Sequence, residues 1–361
     1  MPQGNSDLHK TISDAHDEAL KKRGIANILI AGKTGVGKST LINTVFQGRM
    51  AATGQGRSVT QSTKKITKEG VPISIYDTKG LEVKDYKPIL DDLMQFVKTT
   101  NNNTDPQQHI HVAWICVAEG ARRVEEAEIS LAKSLSEMMP VIVVITTASS
   151  DQGFKNIVSD LFPFARNVIR VNSVPLELDG GTIIPAHGLH DLIELTMEVI
   201  PEGQKKAFAA AQCISLDHKL NQAHKIVAVA AASAATIGAI PVPFSDAIGI
   251  VPVQIGMLAS ISLAFGLDTD KAFLGSLVGG TFTAVAGTLG GRALVGGLLK
   301  LIPGLGSVAG GAISATVAAT LTTTFGEAYA ATLYSLLKDD PDKKLSGEDV
   351  AKAFKKKLGA N

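Results

Sequence analysis

Up to residue 224, apolar runs and amphipathic stretches alternate along the chain. Ile25–Ala31 is a compact apolar run ending before glycine, which predicts a buried strand. "VPISIYDTKG" (Val71–Gly80) alternates and then breaks, predicting a second strand that delivers a loop. Ile110–Ala118, Pro140–Thr147 and Asn167–Ser173 predict three more strands, while Ser39–Phe46, Arg123–Met138 and Leu189–Val199 carry helical spacing. Ahead of them, Leu8, Ile12, Ala15 and Leu20 recur at helical intervals over residues 7–23, a short amphipathic helix within segment 1–23. Continuous apolar strands alternating with helices imply an α/β fold. Its sheet is mostly parallel, covered on both faces, and open to ligands at the strand ends.

The pattern then changes. From Lys225 to Leu337 the chain is dominated by Ala, Gly, Val, Leu, Ile, Ser and Thr, interrupted beyond Lys225 by Asp246, Asp268, Asp270, Lys271, Arg292, Lys300 and Glu327. Ile226–Ser245, Ala247–Leu267, Ala272–Gly291 and Leu301–Gly326 each approach the length that spans a bilayer, about 20 residues. Gly275–Gly279 and Gly287–Gly291 have the small-xxx-small spacing suited to close helix packing. "IPVPFSD" (Ile240–Asp246) and "IPGLGS" (Ile302–Ser307) break the runs, as tips or hinges of helical hairpins do. A charged tail follows, in which Ser346-Gly-Glu-Asp349 resembles a capping box opening a short basic helix. The division expected is an N-terminal helix (1–23), an α/β domain (24–200), a connecting helix (201–224), a hydrophobic all-α domain (225–337) and the tail (338–361).

Composition narrows the classes. The length suffices for two cores. A net charge of +1, from 35 basic and 34 acidic residues, gives no case for a nucleic-acid partner. Cys116 and Cys213 cannot build a disulfide framework and read as buried thiols in a reducing compartment. The polar N-terminal stretch has no apolar signal core, so secretion is not expected.

The chemistry concentrates in "GKTGVGKS", Gly32–Ser39, between a strand and a helix. Glycines let backbone amides point inward as an anion nest at a helix N-terminus. Gly32, Thr34, Gly35, Val36, Gly37 and Thr40 form the cradle, Lys38 neutralises β- and γ-phosphates, and Ser39 ligates magnesium. A carboxylate at the end of a neighbouring strand completes the magnesium site, and Asp77 stands there. Gly80 can offer its amide to a γ-phosphate. The polar, hydroxyl-rich segment Gly56–Gly70 supplies a threonine to close over the metal, Thr60 first and Thr63 second. Arg122 and Arg123 are either arginine fingers or a solvated helix start. His109 and His111 lack a third ligand at metal spacing and read as structural, and Trp114 as core.

In this motif order the chain resembles the translation-factor-related GTPases of the Era, TrmE and immunity-associated groups, over about residues 24–200. The resemblance implies guanine nucleotide (GTP or GDP) with Mg2+ as ligand. It assigns phosphates to Gly32–Thr40, the switch threonine to Thr60, the second switch to Asp77 with Gly80, and hydrolysis to Lys38, Thr60 and Gly80. Leu81 stands where Ras-like proteins have a water-orienting glutamine, which implies slow or partner-stimulated turnover. Gly35 replaces the asparagine of potassium-using relatives. The guanine-reading Asn/Thr-Lys-x-Asp appears as Thr146-Thr147-Ala148-Ser149, with Thr147 for the lysine and Ser149 for the aspartate. A neutral hydroxyl there forfeits roughly 1–2 kcal/mol of charge-assisted bonding. Asp151 substitutes if the loop shifts, and Asn172-Ser173 would support the base through backbone amides.

Residues 205–337, through "IPVPFSDA" and "VPVQIGM", resemble the hydrophobic helical domain of bacterial YcjF-type proteins. That resemblance implies a bacterial protein associated with the cytoplasmic side of the inner membrane, through partial or reversible insertion rather than stable spans. A membrane or protein partner is expected through residues 225–337. The alternatives are a soluble cytoplasmic bundle, a homo-oligomer, a nucleotide-binding scaffold that does not hydrolyse, and a switch preferring ATP.

Overall fold

β1 (Ala26–Ala31), β2 (Gln55–Ser58), β3 (Thr63–Lys68), β4 (Val71–Thr78), β5 (Val112–Ala118), β6 (Val141–Thr146) and β7 (Asn167–Arg170) make one sheet. Their order is β2-β3-β4-β1-β5-β6-β7. The structure is a computed structural model that describes residues 3–48, 50, 55–58, 60, 63–78, 86–238, 246–286, 315–341 and 343–358. It divides into two units, Gly24–Ser215 and Met1–Arg23 with Leu216–Asn361.

In the first unit, β4-β1-β5-β6-β7 run parallel, while β3 is antiparallel to both β2 and β4. The helices are α2 (Lys38–Val45), α3 (Lys87–Asn101), α4 (Glu126–Ser136), α5 (Phe154–Leu161), α6 (Leu189–Val199) and α7 (Glu202–Ala211). Strand alternation divides the apolar side chains between two cores. Ile28 and Ile30 of β1, Trp114 of β5 and Val144 of β6 pack with Leu41 of α2, Leu192 of α6 and Phe208 of α7. Leu29, Ile115 and Val143 on the other face pack with Leu93 of α3, Leu131 of α4 and Phe154 of α5. Because both faces are covered, the parallel strands read as continuous apolar runs. Each fully buried side chain of this size contributes about 1.5–3 kcal/mol.

The five predicted strands and three predicted helices of this unit all form, with ends shifted by up to three residues. One difference concerns Gly56–Gly70. It contains the hairpin β2–β3 rather than a wholly irregular segment. Only Thr63 and Ile66 of β3 are buried, and beside the edge strand β2 its remaining lysines and threonine stay partly or fully exposed. A second concerns residues 201–224, where two helices replace the single connecting one. The Gln212 side-chain oxygen accepts from the N–H groups of Ile214 and Ser215 at 2.8 and 2.7 Å. Its amide nitrogen donates to the carbonyls of Ala209 and Ser215. These bonds satisfy the backbone of a turn, so α7 stops and α8 (Leu216–Gly238) starts afresh.

The second unit comprises α1 (Gln3–Arg23), α8, α9 (Asp246–Ala264), α10 (Lys271–Ala286), α11 (Ala315–Leu337) and α12 (Gly347–Lys357). One apolar core runs through it, including Ile12 and Ala19 of α1, Val227 of α8, Leu258 of α9, Leu274 of α10, Phe325 of α11 and Phe354 of α12. Some polar groups inside it are paired, whereas the buried hydroxyls of Thr269, Thr281 and Thr322 have no partner among the described residues. Ser262 and Tyr329 share a 2.6 Å hydrogen bond, and the buried Lys219 donates to the Phe265 carbonyl at 3.0 Å. Ser346 accepts from the Asp349 N–H, the cap that the sequence announced. No helix among the described residues is long and apolar enough to cross a membrane. Ile240–Ser245, Gly287, Gly291 and Ile302–Ser307 lie outside the described residues. Among the described residues, a Cβ at Gly275 or Gly279 would meet nothing within 4 Å. One close approach is at Gly326, where a Cβ would lie 2.6 Å from Val227 Cγ2 and 2.7 Å from Met257 Sδ.

Gly326→Ala should therefore overpack the helical unit, at a cost of about 1–3 kcal/mol. Urea unfolding followed by circular dichroism should show a lower midpoint for the transition of this unit.

Candidate nucleotide site

β1 is the switch point of the sheet. Its neighbours β4 and β5 lie on either side, and the parallel strands end along one sheet edge where a crevice opens. Residues 32–37 turn there from β1 into α2. Gly32 has φ 144° and passes so close to β5 that a Cβ would lie 2.4 Å from the Cys116 carbonyl oxygen, which only glycine permits. Gly35 and Gly37 continue the turn at φ 79° and 94°. Gly37 caps α2 without a side chain, so the first-turn N–H groups, including those of Lys38, Ser39 and Thr40, have no intrahelical partner. Thr34 and Gly35 are exposed at the tip, as are Ser39 and Thr40, while Val36 is buried.

Lys38 folds back over this turn. Its Nζ donates to the Gly32 and Lys33 carbonyls at 2.8 and 2.9 Å. The result is an ammonium group and a helix N-terminus converging on one concavity, a geometry that attracts a polyanion. Lys33 is engaged elsewhere, 2.7 Å from Glu125, whose carboxyl its hydrogen bond and charge hold below the usual range.

Asp77 sits near the end of β4, in register with Ile30 of β1 and Lys64 of β3. Burial pushes its carboxyl above the ordinary range, against the pull of Lys38 and Lys64. Its Oδ1 is buried without a hydrogen-bond partner among the described residues. A carboxylate with an unused oxygen, close enough to feel the charge of Lys38 at the start of α2, fits the donor set of a divalent cation such as Mg2+. Ser39 and Asp77 would hold it. Thr60 precedes β3, whose first residue, Thr63, is in register with Thr78 at the end of β4. Its hydroxyl accepts from the Thr63 N–H at 3.1 Å, a local turn. The Thr63 hydroxyl is buried and has no partner among the described residues. Gly80 and Leu81 lie outside the described residues.

The opposite end of the crevice is the loop after β6. Thr146 Oγ1 donates to the Val36 carbonyl at 2.5 Å, bracing the phosphate loop from the neighbouring strand. Thr147 takes φ 50°, an uncommon value for a β-branched residue, and stands exposed beside the exposed Ser149. Glu119, buried just beyond β5, accepts from the N–H groups of Ser149 and Ser150 at 2.5 and 2.7 Å. Its other oxygen accepts from Arg170 Nε at 2.6 Å. Burial alone would raise the Glu119 carboxyl; Arg170 and the two amides outweigh it and hold the group below its ordinary value. Arg122 donates to the Ser150 and Asp151 carbonyls, and its guanidinium lies 5.7 Å from the centre of the Phe154 ring. It is neither a free finger nor a merely solvated helix start. Asp151 accepts from the Lys155 N–H at 2.8 Å at the start of α5, so it is engaged as a cap. The N–H of Asn172 goes to the His187 carbonyl, and its side chain is buried, donating to the Pro185 carbonyl at 3.1 Å. Ser173 follows it, half-buried.

The remaining candidates are structural. The Trp114 indole is buried and donates to Thr196 Oγ1. His111 accepts from the Asn27 N–H, and burial holds its pKa down. Cys116 is buried, and burial pushes its thiol up to about 12. Sequence reasoning missed Glu119, Arg170 and the bracing role of Thr146. The available signals were a carboxylate that ends an apolar strand and the first position of the degraded base motif.

Residues 27–147 match the 50S ribosome-binding GTPase family. Cell division control protein 10 of Candida albicans is 25% identical over 168 residues, which are 39% of this chain and 46% of that protein. The chain thus matches less than half the length of that relative. Among solved structures, the G domain of the T. maritima FeoB iron transporter aligns at 19% identity with a TM-score of 0.29, over 48% of this chain and 98% of that one. With the strand order and the glycine turn described above, the first unit is a P-loop GTPase domain.

Asp77 yields a prediction with two readouts. Its folded pKa lies above the unfolded value, so ionisation disfavours the fold, and the cost is fully present only above the folded pKa. Asp77→Asn should leave the thermal midpoint of the ligand-free protein unchanged or raised at pH 7.5. The same variant should abolish the gain in nucleotide affinity on adding Mg2+, measured by titration calorimetry.

Proposed function

We propose that this chain is a GTP-binding switch that uses Mg2+ and hydrolyses GTP slowly or on stimulation by a partner. The observation carrying the reading is the glycine turn Gly32–Gly37 with Lys38 folded across it, at the N-terminus of α2 and next to the buried, underused carboxylate of Asp77. In this reading the first-turn amides of α2 and Lys38 hold the β- and γ-phosphates. Ser39 and Asp77 hold magnesium, which supplies charge neutralisation between the phosphates when bound. Thr60 and Gly80 close over the γ-phosphate, and the loop Thr147–Ser149 with Ser173 faces the base. The state of the nucleotide is then passed to the helical unit.

The low charge density of residues 225–337 supports a further element of the proposal, reversible attachment of the helical unit to the cytoplasmic face of a membrane. The relation to Era- and TrmE-type GTPases and to the YcjF-type helical domain belongs to the same reading.

Lys38→Ala should weaken binding of Mg2+-GTP by roughly 10- to 100-fold, the loss of a charge-assisted bond of 1.5–3 kcal/mol. Calorimetric titration checks it, and unchanged affinity would overturn the reading. Single-turnover hydrolysis with excess protein tests the enzymatic half. A rate no faster than that of GTP in buffer leaves a binding scaffold instead. Flotation with anionic vesicles tests attachment, and recovery of all the protein in the dense fraction removes that element.

A further inference from the structure

Resting on the nucleotide-binding reading, we infer that the base is read by neutral groups on a clamped loop, with Glu119 as the residue that positions it. The site would therefore take purine nucleoside triphosphates with weak selectivity for guanine. Three observations lead there. First, the loop position at which a carboxylate would take the guanine ring N–H and exocyclic amine holds Ser149, exposed and uncharged. Second, the carboxylate that contacts the loop and the one within it are both committed. Glu119 is 1% exposed and holds the Ser149 and Ser150 amides and Arg170. Asp151 caps α5 and lies 3.7 Å from Arg170.

Third, the loop is fixed from both sides of its backbone. Glu119 takes two consecutive N–H groups, Arg122 takes the carbonyls of Ser150 and Asp151, and His187 Nε2 lies 3.1 Å from the Ala148 carbonyl. Thr147 and Gln152 are held at φ 50° and 43° within the same segment. A loop fastened at this many points does not slide by two residues to bring Asp151 to the place of Ser149. What it offers a base is its own shape, the Thr147 and Ser149 side chains and any unpaired backbone. Such contacts add affinity for a purine ring, but a lone hydroxyl cannot replace a carboxylate that accepts two N–H bonds at once.

The test is calorimetric titration of the full chain with Mg2+-GTP, Mg2+-ITP and inorganic tripolyphosphate, ITP differing from GTP only in the exocyclic amine. The unmodified protein should favour GTP over ITP by less than about tenfold, the scale of one neutral hydrogen bond. Ser149→Asp, an exposed change, should raise GTP affinity about tenfold or more and leave tripolyphosphate unchanged. Glu119→Gln should weaken GTP by about tenfold while tripolyphosphate stays within about twofold. Selectivity beyond tenfold in the unmodified protein overturns the inference. So does an unchanged GTP affinity in Ser149→Asp, or an equal loss of GTP and tripolyphosphate in Glu119→Gln. If neither GTP nor tripolyphosphate binds the unmodified protein, the phosphate-loop reading itself falls.

Discussion

The hydrogen bond from Thr146 to the Val36 carbonyl joins the two ends of the crevice. Thr146 is the last residue of β6, and Val36 belongs to the turn between β1 and α2. The bond can form only if β1, β5 and β6 keep their parallel register, with Ile30 opposite Trp114 and Ala118 opposite Thr146. The same register puts Gly32 against the Cys116 carbonyl, a contact that leaves no room for a side chain. The glycine turn is thus a product of the sheet as a whole.

The two ends of the site use opposite strategies. At the phosphate end, charge is exposed to the ligand through Lys38 and the α2 terminus. At the base end, charge is spent inward. Glu119, Arg122, Arg170 and Asp151 all satisfy the protein backbone or one another, and the groups left on the outside are hydroxyls. A buried carboxylate such as Glu119 is tolerable only because its oxygens are filled by two amides and a guanidinium. Asp77 is the contrasting case, a buried carboxylate with an oxygen left over, which suits a group that waits for a cation.

The parallel strands were legible because burial on both faces leaves an unbroken apolar signal in the sequence. β3 was not, because this strand, next to the edge strand β2, buries only Thr63 and Ile66 and its lysines resemble loop. α3 and α5 also went unread, although apolar positions recur at helical spacing in both, with Leu93 and Val97 buried in α3 and Phe154 and Val158 in α5. In the site, Gly32–Ser39 was readable because the cradle needs fixed residue types at fixed spacing. The Glu119 network was not, since its partners lie 30 to 51 residues away and its bonds go largely to backbone, which carries no residue signature. The helical half was legible as apolar but not in its packing. The seam at Gly326 depends on Val227 and Met257, residues about 100 and 69 positions earlier.

The helix α1 packs with helices that begin at Leu216, so the helical unit is built from the two ends of the chain, and the GTPase domain is inserted between them. This has a consequence for biosynthesis. Residues 24–215 can complete their cores as soon as they leave the ribosome, whereas α1, made before them, has no partner until α9 and α10 follow. Until then its apolar stripe, with Ile12 and Ala19, stays uncovered. The helical unit becomes whole only after the inserted domain has been made.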